Sequence, residues 1–159
     1  MKNYTSCLFL AAFLFGNFSF PAQAIETKAK NAVLMDFDTG TFFFEKKADE
    51  KMPPASMSKL MTAYMIFERL KNGSLSLDDE FIVSENAWRK GGAKTGSSTM
   101  FLNIGDKVKL SDLLRGIIVQ SGNDACITAA ENISGSEKEF VAQANQKAEE
   151  LGLTNTHLA

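Results

Sequence analysis

Histidine is almost missing from this chain of 159 residues: His157 is the only one, and it lies two residues from the end. That nearly excludes a Ser-His-Asp triad and a multi-histidine metal site. Cysteine is as scarce, with Cys7 and Cys126 alone, so no zinc cluster of cysteines can be written. An excess of charge is missing too. The 17 Lys+Arg stand against 19 Asp+Glu, a formal charge of −2, which leaves no electrostatic footprint for nucleic acid. No apolar run is long enough to span a bilayer of roughly 30 Å as a stable helix. What is present is ordinary: 45% hydrophobic and 23% charged residues, the proportions of a globular protein and not of a disordered chain, a collagen or a repeat array. The length suits one domain, at roughly 100–200 residues per domain.

Residues 1–24 read as an address and not as fold. Lys2 supplies a positive start, Cys7 to Phe15 (CLFLAAFLF) is apolar, and Gly16, Asn17, Pro21 and Gln23 break the run. Ala22-Gln23-Ala24 is the small-x-small pattern of signal-peptidase cleavage, so the chain is expected to be exported. Cys7 precedes the apolar stretch instead of ending it, which argues against a lipoprotein signal. Cleavage after Ala24 leaves residues 25–159 with Cys126 as the only thiol. No internal disulfide is then available in an oxidising compartment, and the fold must stand on its core. A chain of that size can bury about two-thirds of its unfolded surface.

The remaining sequence reads as a hairpin followed by helices. Ala32 to Phe37 is apolar, Asp38-Thr39-Gly40 has turn chemistry, and Thr41 to Glu45 is β-branched and aromatic. A charged connector and Pro53-Pro54 lead into a helical pattern from Ala55 to Leu70, with Leu60, Met61, Tyr64, Met65 and Phe67 at three- and four-residue spacing. Asn72-Gly73 is a C-terminal stop. Phe81 to Val83 suits a short strand, and Ser84 can cap a short helix over Asn86 to Lys90. Residues 91–98 form a small-residue loop. Leu102 to Leu110 carries an Ile-Gly-Asp turn and some alternation. Ser111 and Asp112 are expected to cap a helix through Ile118, Ser121-Gly122-Asn123 interrupts it, and an Ala-rich helix continues to Ile133. Ser136 with Glu139 is a capping box that opens a helix to Leu151, stopped by Gly152. A two-stranded hairpin is not stable alone, and this chain offers no long apolar segment to extend it. The sequence therefore reads as the front of a larger domain.

Ser56-Met57-Ser58-Lys59 is an S-x-x-K at the start of the predicted helix. Residues i and i+3 share a helical face, so the Ser56 hydroxyl and the Lys59 amine can meet. A serine in the first turn also sits at the positive end of the helix, which favours developing negative charge. A lysine held in an apolar pocket loses proton affinity and can take a serine proton without histidine. Alone the motif is weak, because an N-cap serine beside a solvated lysine has the same string. Its weight comes from Ser121-Gly122-Asn123, where a hydroxyl and a carboxamide two positions apart on a tight turn can project into one cleft. The bland reading there is a plain capping turn.

Two similar strings are decoys. Ser84-Glu85-Asn86 precedes a short helix and reads as a cap. Lys94-Thr95-Gly96 is a literal K-T-G, but its neighbours are loop-like and it lies between the two other motifs, so it reads as coincidence. His157 reads as a polar segment end, Cys126 as a small core residue, and Met57, Met61 and Met65 as a core stripe.

The chain resembles the low-molecular-mass penicillin-binding proteins that are D-alanyl-D-alanine carboxypeptidases, serine peptidases of the DacA type. The resemblance runs from AVLMDFDTGTFFFEKKADEKMPPASMSKLMTAYMIFE, through GSSTMFLNIGDKVKLSDLLRGIIVQSGNDACITAAENISGS, to FVAQANQKAEELGLTNTHLA, nearly all of residues 25–159. It implies a mixed α/β (α+β) fold of the penicillin-binding and serine β-lactamase-like kind, an antiparallel sheet flanked by helices plus a mostly helical portion, with the cleft between them. It implies that Ser56 is the acylated nucleophile and Lys59 its general base. Ser121 would pass a proton to the leaving amine, and Asn123 would bind the substrate backbone and orient Lys59. The implied substrate is the D-Ala-D-Ala end of a peptidoglycan stem peptide, and β-lactams, which mimic it, should acylate Ser56. No metal or organic cofactor and no nucleic acid is implied. The implied location is the periplasm or the outer face of the cytoplasmic membrane, with peripheral inner-membrane association through a C-terminal segment outside this chain. The family's third motif, a K-T-G on a sheet strand, lies downstream of S-x-N and beyond residue 159. Residues 25–159 are thus expected to be the N-terminal part of the catalytic domain, with activity assigned to a longer parent. A serine β-lactamase shares S-x-x-K and S-x-N, but Gly122 stands where many such enzymes carry Asp. A non-catalytic periplasmic binding protein, or an inactive fragment, is the alternative of another class.

Overall fold

The computed structural model describes residues 25–159; the expected address segment 1–24, with Cys7, lies outside the described residues. The chain divides after Met52 into two units. In the first, β1 (Ala32–Met35) pairs antiparallel with β2 (Phe42–Lys46), with a bulge between Leu34 and Met35. The turn is built as the sequence suggests. Asp36 accepts hydrogen bonds from the Thr39 hydroxyl and amide, and these hold its carboxyl below the usual carboxylate range. Gly40 then turns the chain at φ +69°, a left-handed conformation that costs glycine nothing.

The second unit runs from Pro53 to Ala159. A 3-10 turn over Ala55–Ser58 leads into α1 (Lys59–Lys71). Then come β3 (Glu80–Ile82), α2 (Glu85–Gly91), β4 (Lys107–Lys109), α3 (Leu110–Ile118), α4 (Asn123–Ser134) and α5 (Glu137–Glu150). The mixed α/β class stands: five helices accompany two small antiparallel pairs, β1–β2 and β3–β4, among the described residues. In the second pair Phe81 faces Val108, and Glu80 lies opposite Lys109. The main core joins Ile66 of α1, Phe81 of β3 and Val83 just after it, Leu113, Leu114 and Ile117 of α3, and Ala125 and Ala129 of α4. A smaller cluster joins Met65, Ala130, Phe140 and Ala144, which seats α5 against α1 and α4. No described helix is long and apolar enough to cross a membrane.

Helix ends mostly follow their caps. Ser84 accepts from the Ala87 amide at 2.9 Å, and Ser136 from the Glu139 amide at 3.1 Å. Three expectations need correcting. The α-helix begins at Lys59 and not at Ala55, because the preceding turn is wound as a 3-10 helix. The α3 helix begins at Leu110, before Ser111 and Asp112 could cap it, and its N-cap Lys109 makes no side-chain bond. Its first amides are satisfied from elsewhere: Leu110 donates to the Asp79 carbonyl and Ser111 to the Leu77 carbonyl. Finally, the methionines do not form one core stripe. Met65 is buried, Met61 packs at the edge of the smaller cluster, and Met57 is 52% exposed. α1 is apolar on two faces, one turned inwards through Ala63, Met65 and Ile66 and one outwards through Leu60, Tyr64 and Phe67. Spacing alone does not say which is which.

The closest approach in the second unit is between α2 and α4. A Cβ placed on Gly91 would lie 2.2 Å from the Asp124 amide nitrogen and 2.6 Å from the Asn123 carbonyl carbon, both backbone atoms that no rotamer change can move. Gly91→Ala is therefore expected to cost about 1–3 kcal/mol. The check is the urea midpoint of unfolding at constant slope. An unchanged midpoint would mean that the two helices do not approach this closely in solution.

Candidate active site

Ser56 lies inside the 3-10 turn, where three residues make one turn and side chains at i and i+3 eclipse. That geometry puts Ser56 and Lys59 above one another more directly than an α-helical turn would. The Lys59 Nζ lies 3.4 Å from the Ser56 Oγ. The turn is entered through Ala55 at φ +48°, a left-handed conformation rare outside glycine. It is closed by the Met57 amide on the Pro54 carbonyl and the Ser58 hydroxyl on the Ala55 carbonyl.

The other half of the site is the start of α4. Ser121 takes φ +56°, the Gly122 amide donates to the Gly116 carbonyl, and the Asn123 amide donates to the Ser98 carbonyl. This bend delivers the Ser121 Oγ to 3.1 Å from the Lys59 Nζ, across 62 residues of sequence. Ser56, Lys59 and Ser121 thus converge on one amine. Ser56, Lys59 and Asn123 line a cleft of about 710 Å³, whose walls also include Thr62, Lys90, Cys126, Ile127 and Glu137, and Ser121 reaches it through the Lys59 amine. Among the described residues no hydrogen bond ties Asn123 to Lys59; the two share the lining instead. Among the described residues the cleft is lined from the second unit. Among the described residues no three of His, Cys, Asp and Glu come together as a metal site.

Behind the bend sits a residue that sequence reasoning passed over. Asp124 is fully buried. Its carboxylate accepts from the Thr99 hydroxyl at 2.6 Å, the Met100 amide at 2.8 Å, the Leu102 amide at 3.1 Å and the Ala125 amide at 2.9 Å. The segment 99–102, with Phe101 at φ +61°, is thereby fastened to the first turn of α4. Gly122 is closely surrounded: a Cβ there would lie 3.1 Å from the Asp124 carboxylate and 3.2 Å from the Met100 amide, so these neighbours would have to give by a few tenths of an ångström. The only signal in the sequence was an acidic residue in a first helical turn, which usually means a favourable helix dipole and nothing more.

The decoys fall away. Ser84 caps α2 and binds Glu131, and Lys94 and Thr95 lie in a 3-10 turn with the Lys94 ammonium 4.9 Å above the Trp88 ring. His157 is exposed and lines a separate cavity of about 360 Å³ between α1, α5 and the chain end. Cys126 packs against the core on one side and lines the cleft on the other. Burial pushes its thiol up from 9.0 to about 12, Asp124 adds to the rise, and Lys59 opposes it.

Two hydroxyls gathered around one amine are the equipment of an active-serine enzyme that works without imidazole. The chain belongs to the D-alanyl-D-alanine carboxypeptidase family of serine peptidases, whose profile matches residues 18–159. It is 44% identical over 149 residues to the D-alanyl-D-alanine carboxypeptidase DacC of Escherichia coli, covering 91% of this chain and 37% of that protein. It is 45% identical over 129 residues to DacF of Bacillus subtilis, covering 81% and 32%. Among solved structures, penicillin binding protein 5 of Haemophilus influenzae superposes with a TM-score of 0.79 at 38% identity, over 86% of this chain and 39% of that one. The carboxypeptidase DacD of Francisella tularensis gives 0.77 at 42%, over 85% and 32%. The chain spans about a third of the length of the curated relatives it matches.

Two outcomes follow from this geometry. Asp124→Ala strands four donors around a buried hole, and a loss of about 2–4 kcal/mol is expected by chemical denaturation; a loss below 1 kcal/mol would show that the 99–102 segment is held some other way. The Cys126 thiolate is scarcer by about three powers of ten, and its greater intrinsic nucleophilicity restores only part of that. Iodoacetamide at pH 8 should therefore alkylate Cys126 roughly thirtyfold more slowly in the folded protein than in urea, read by mass spectrometry of the Cys126 peptide.

Proposed function

We propose that the protein is a serine-type D-Ala-D-Ala carboxypeptidase that removes the terminal D-alanine of peptidoglycan stem peptides through an acyl-enzyme. The observation that carries this reading is the position of the Lys59 amine, 3.4 Å from one hydroxyl and 3.1 Å from the other. In the first step the Ser56 Oγ attacks the carbonyl carbon of the penultimate residue while Lys59 takes the hydroxyl proton. The tetrahedral adduct collapses by breaking the C–N bond. The departing amine of D-alanine receives its proton from Lys59 by way of Ser121. Water then attacks the Ser56 ester and gives a proton to Lys59, the ester C–O bond breaks to free the peptide acid, and Lys59 returns that proton to the Ser56 oxygen. The Asn123 carboxamide, on the same cleft wall, is placed to hydrogen-bond the peptide backbone. A β-lactam presents a strained amide to the same nucleophile. Its nitrogen stays tethered after ring opening, so it does not diffuse away as D-alanine does, and Ser56 remains acylated.

The stem peptide and the β-lactam are the partners of this reading. It places the protein outside the cytoplasmic membrane, in the periplasm or at the membrane's outer face, on the strength of the Ala22-Gln23-Ala24 cleavage pattern. Peripheral attachment to that membrane belongs to the same proposal and rests on family resemblance alone.

The test uses the protein as its gene encodes it, treated with a fluorescent penicillin and with a diacylated D-Ala-D-Ala peptide. The wild type should gain a covalent adduct mapping to Ser56 and release D-alanine. Ser56→Ala should show neither. Lys59→Met and Ser121→Ala should acylate slower by about 10²–10⁴-fold, the range for a lost acid–base group. An adduct on another residue, or full labelling of Ser56→Ala, overturns the assignment.

A further inference from the structure

The cleft lining carries opposite charges that the proposed chemistry does not use. Lys90, at the end of α2, and Glu137, in the first turn of α5, both line the cleft, and their ammonium and carboxylate lie 2.8 Å apart. Their side chains are 59% and 36% exposed, so the pair is wet and easily parted. Exposed ion pairs contribute roughly 0–1 kcal/mol, little enough for a ligand group to displace one partner.

The two partners are not held alike. Beyond Glu137, Lys90 makes no side-chain hydrogen bond among the described residues. Glu137 has support of its own. Asn86 donates to its carboxylate at 3.3 Å and to Glu131 at 2.8 Å, and Glu131 in turn accepts from the Ser84 hydroxyl. The first-turn position of Glu137 also favours a carboxylate. When the pair opens, then, Lys90 swings away and Glu137 stays, presenting a fixed acceptor to the cleft.

We propose that Glu137 is a specificity-determining residue that receives an ammonium-bearing side chain of the substrate peptide, with Lys90 as the built-in cation that this group displaces. The inference rests on the carboxypeptidase reading above and narrows its substrate class. The residue concerned lies on the acyl side of the scissile bond. The leaving group is a single D-alanine whose only ionised side is a carboxylate, which Glu137 repels. A diamino acid in the peptide supplies such an ammonium, and a carboxylate on the same side chain could meet the displaced Lys90.

The test compares D-alanine release from two synthetic peptides ending in D-Ala-D-Ala that differ only in the preceding residue, lysine with a free ε-amine or Nε-acetyl-lysine. The wild type should prefer the free amine in kcat/KM. Glu137→Gln should lower that preference ratio about tenfold, as expected for a lost hydrogen bond to charge. Lys90→Met, which removes the competing cation, should raise it, a change that damage to the fold would not produce. The ratio cancels any general loss of activity in a weakened variant. Equal rates for the two peptides in the wild type, or a ratio that neither substitution moves, overturn the proposal and leave the carboxypeptidase reading intact. A uniform fall for both peptides in Lys90→Met also overturns it, by showing that Lys90 holds the terminal carboxylate. Absence of D-alanine release from either peptide by the wild type overturns both readings together.

Discussion

Asp124 has no exposed surface, and its carboxylate accepts hydrogen bonds from two loop amides, one helix amide and a threonine hydroxyl. A charge buried this deeply is tolerable only where donors replace the water it has lost. Here the donors belong to the 99–102 segment and to α4 itself, so satisfying the charge fixes one against the other. The bend that carries Ser121, Gly122 and Asn123 lies directly on this junction. Gly122 keeps this junction tight, and Gly91 lets α2 approach the backbone of Asn123 and Asp124.

The strain in the second unit makes sense beside that anchor. Ala55, Phe101 and Ser121 hold positive φ without being glycine. Such conformations cost of order 1–3 kcal/mol each and persist only where the surroundings leave no alternative. Ala55 precedes Ser56, Ser121 carries a hydroxyl that meets the Lys59 amine, and Phe101 lies in the segment that Asp124 holds. Relaxing Ser121 would swing its hydroxyl off the Lys59 amine; the Gly122 and Asn123 amides, bonded to the Gly116 and Ser98 carbonyls, oppose this beside the bonds that satisfy Asp124.

What the sequence disclosed, and what it hid, divides by range. Features fixed within a few residues were legible: the Asp-Thr-Gly hairpin turn, the serine caps of α2 and α5, the Gly152 stop, and the Ser56/Lys59 pair one turn apart. The K-T-G at 94–96 was readable as a loop because its neighbours lacked strand character. Features decided by distant partners were not legible. The start of α3 depends on carbonyls at 77 and 79, which take the place of the Ser111 and Asp112 caps. The inward face of α1 depends on which apolar stripe meets α3 and α5, and both stripes look alike in the string. The meeting of Ser121 with Lys59 followed from family resemblance, since no local rule joins positions 62 apart. Asp124 was hidden by its ordinary place in a first helical turn, and Lys90 and Glu137 by their likeness to solvated surface.

The near absence of histidine can now be placed in the mechanism. An imidazole base must keep one tautomer and one ring orientation, which requires a further group to hold it. A primary amine has no tautomer, and its nitrogen can accept from one hydroxyl while donating to another, so it can address two hydroxyls from one position without a residue that fixes a ring. What it needs instead is a fixed origin, because a lysine side chain carries four flexible bonds. Lys59 is the first residue of α1, and α1 is seated by Ile66 in the main core and by Met65 in the smaller one. Ser121 stands in the bend that leads into α4, which is seated by Ala125 and Ala129 in that same core. The distances of 3.4 and 3.1 Å are therefore set by helix packing, with the lysine spanning what remains. Under the proposed chemistry, the precision that a triad draws from a third polar residue is drawn here from apolar burial.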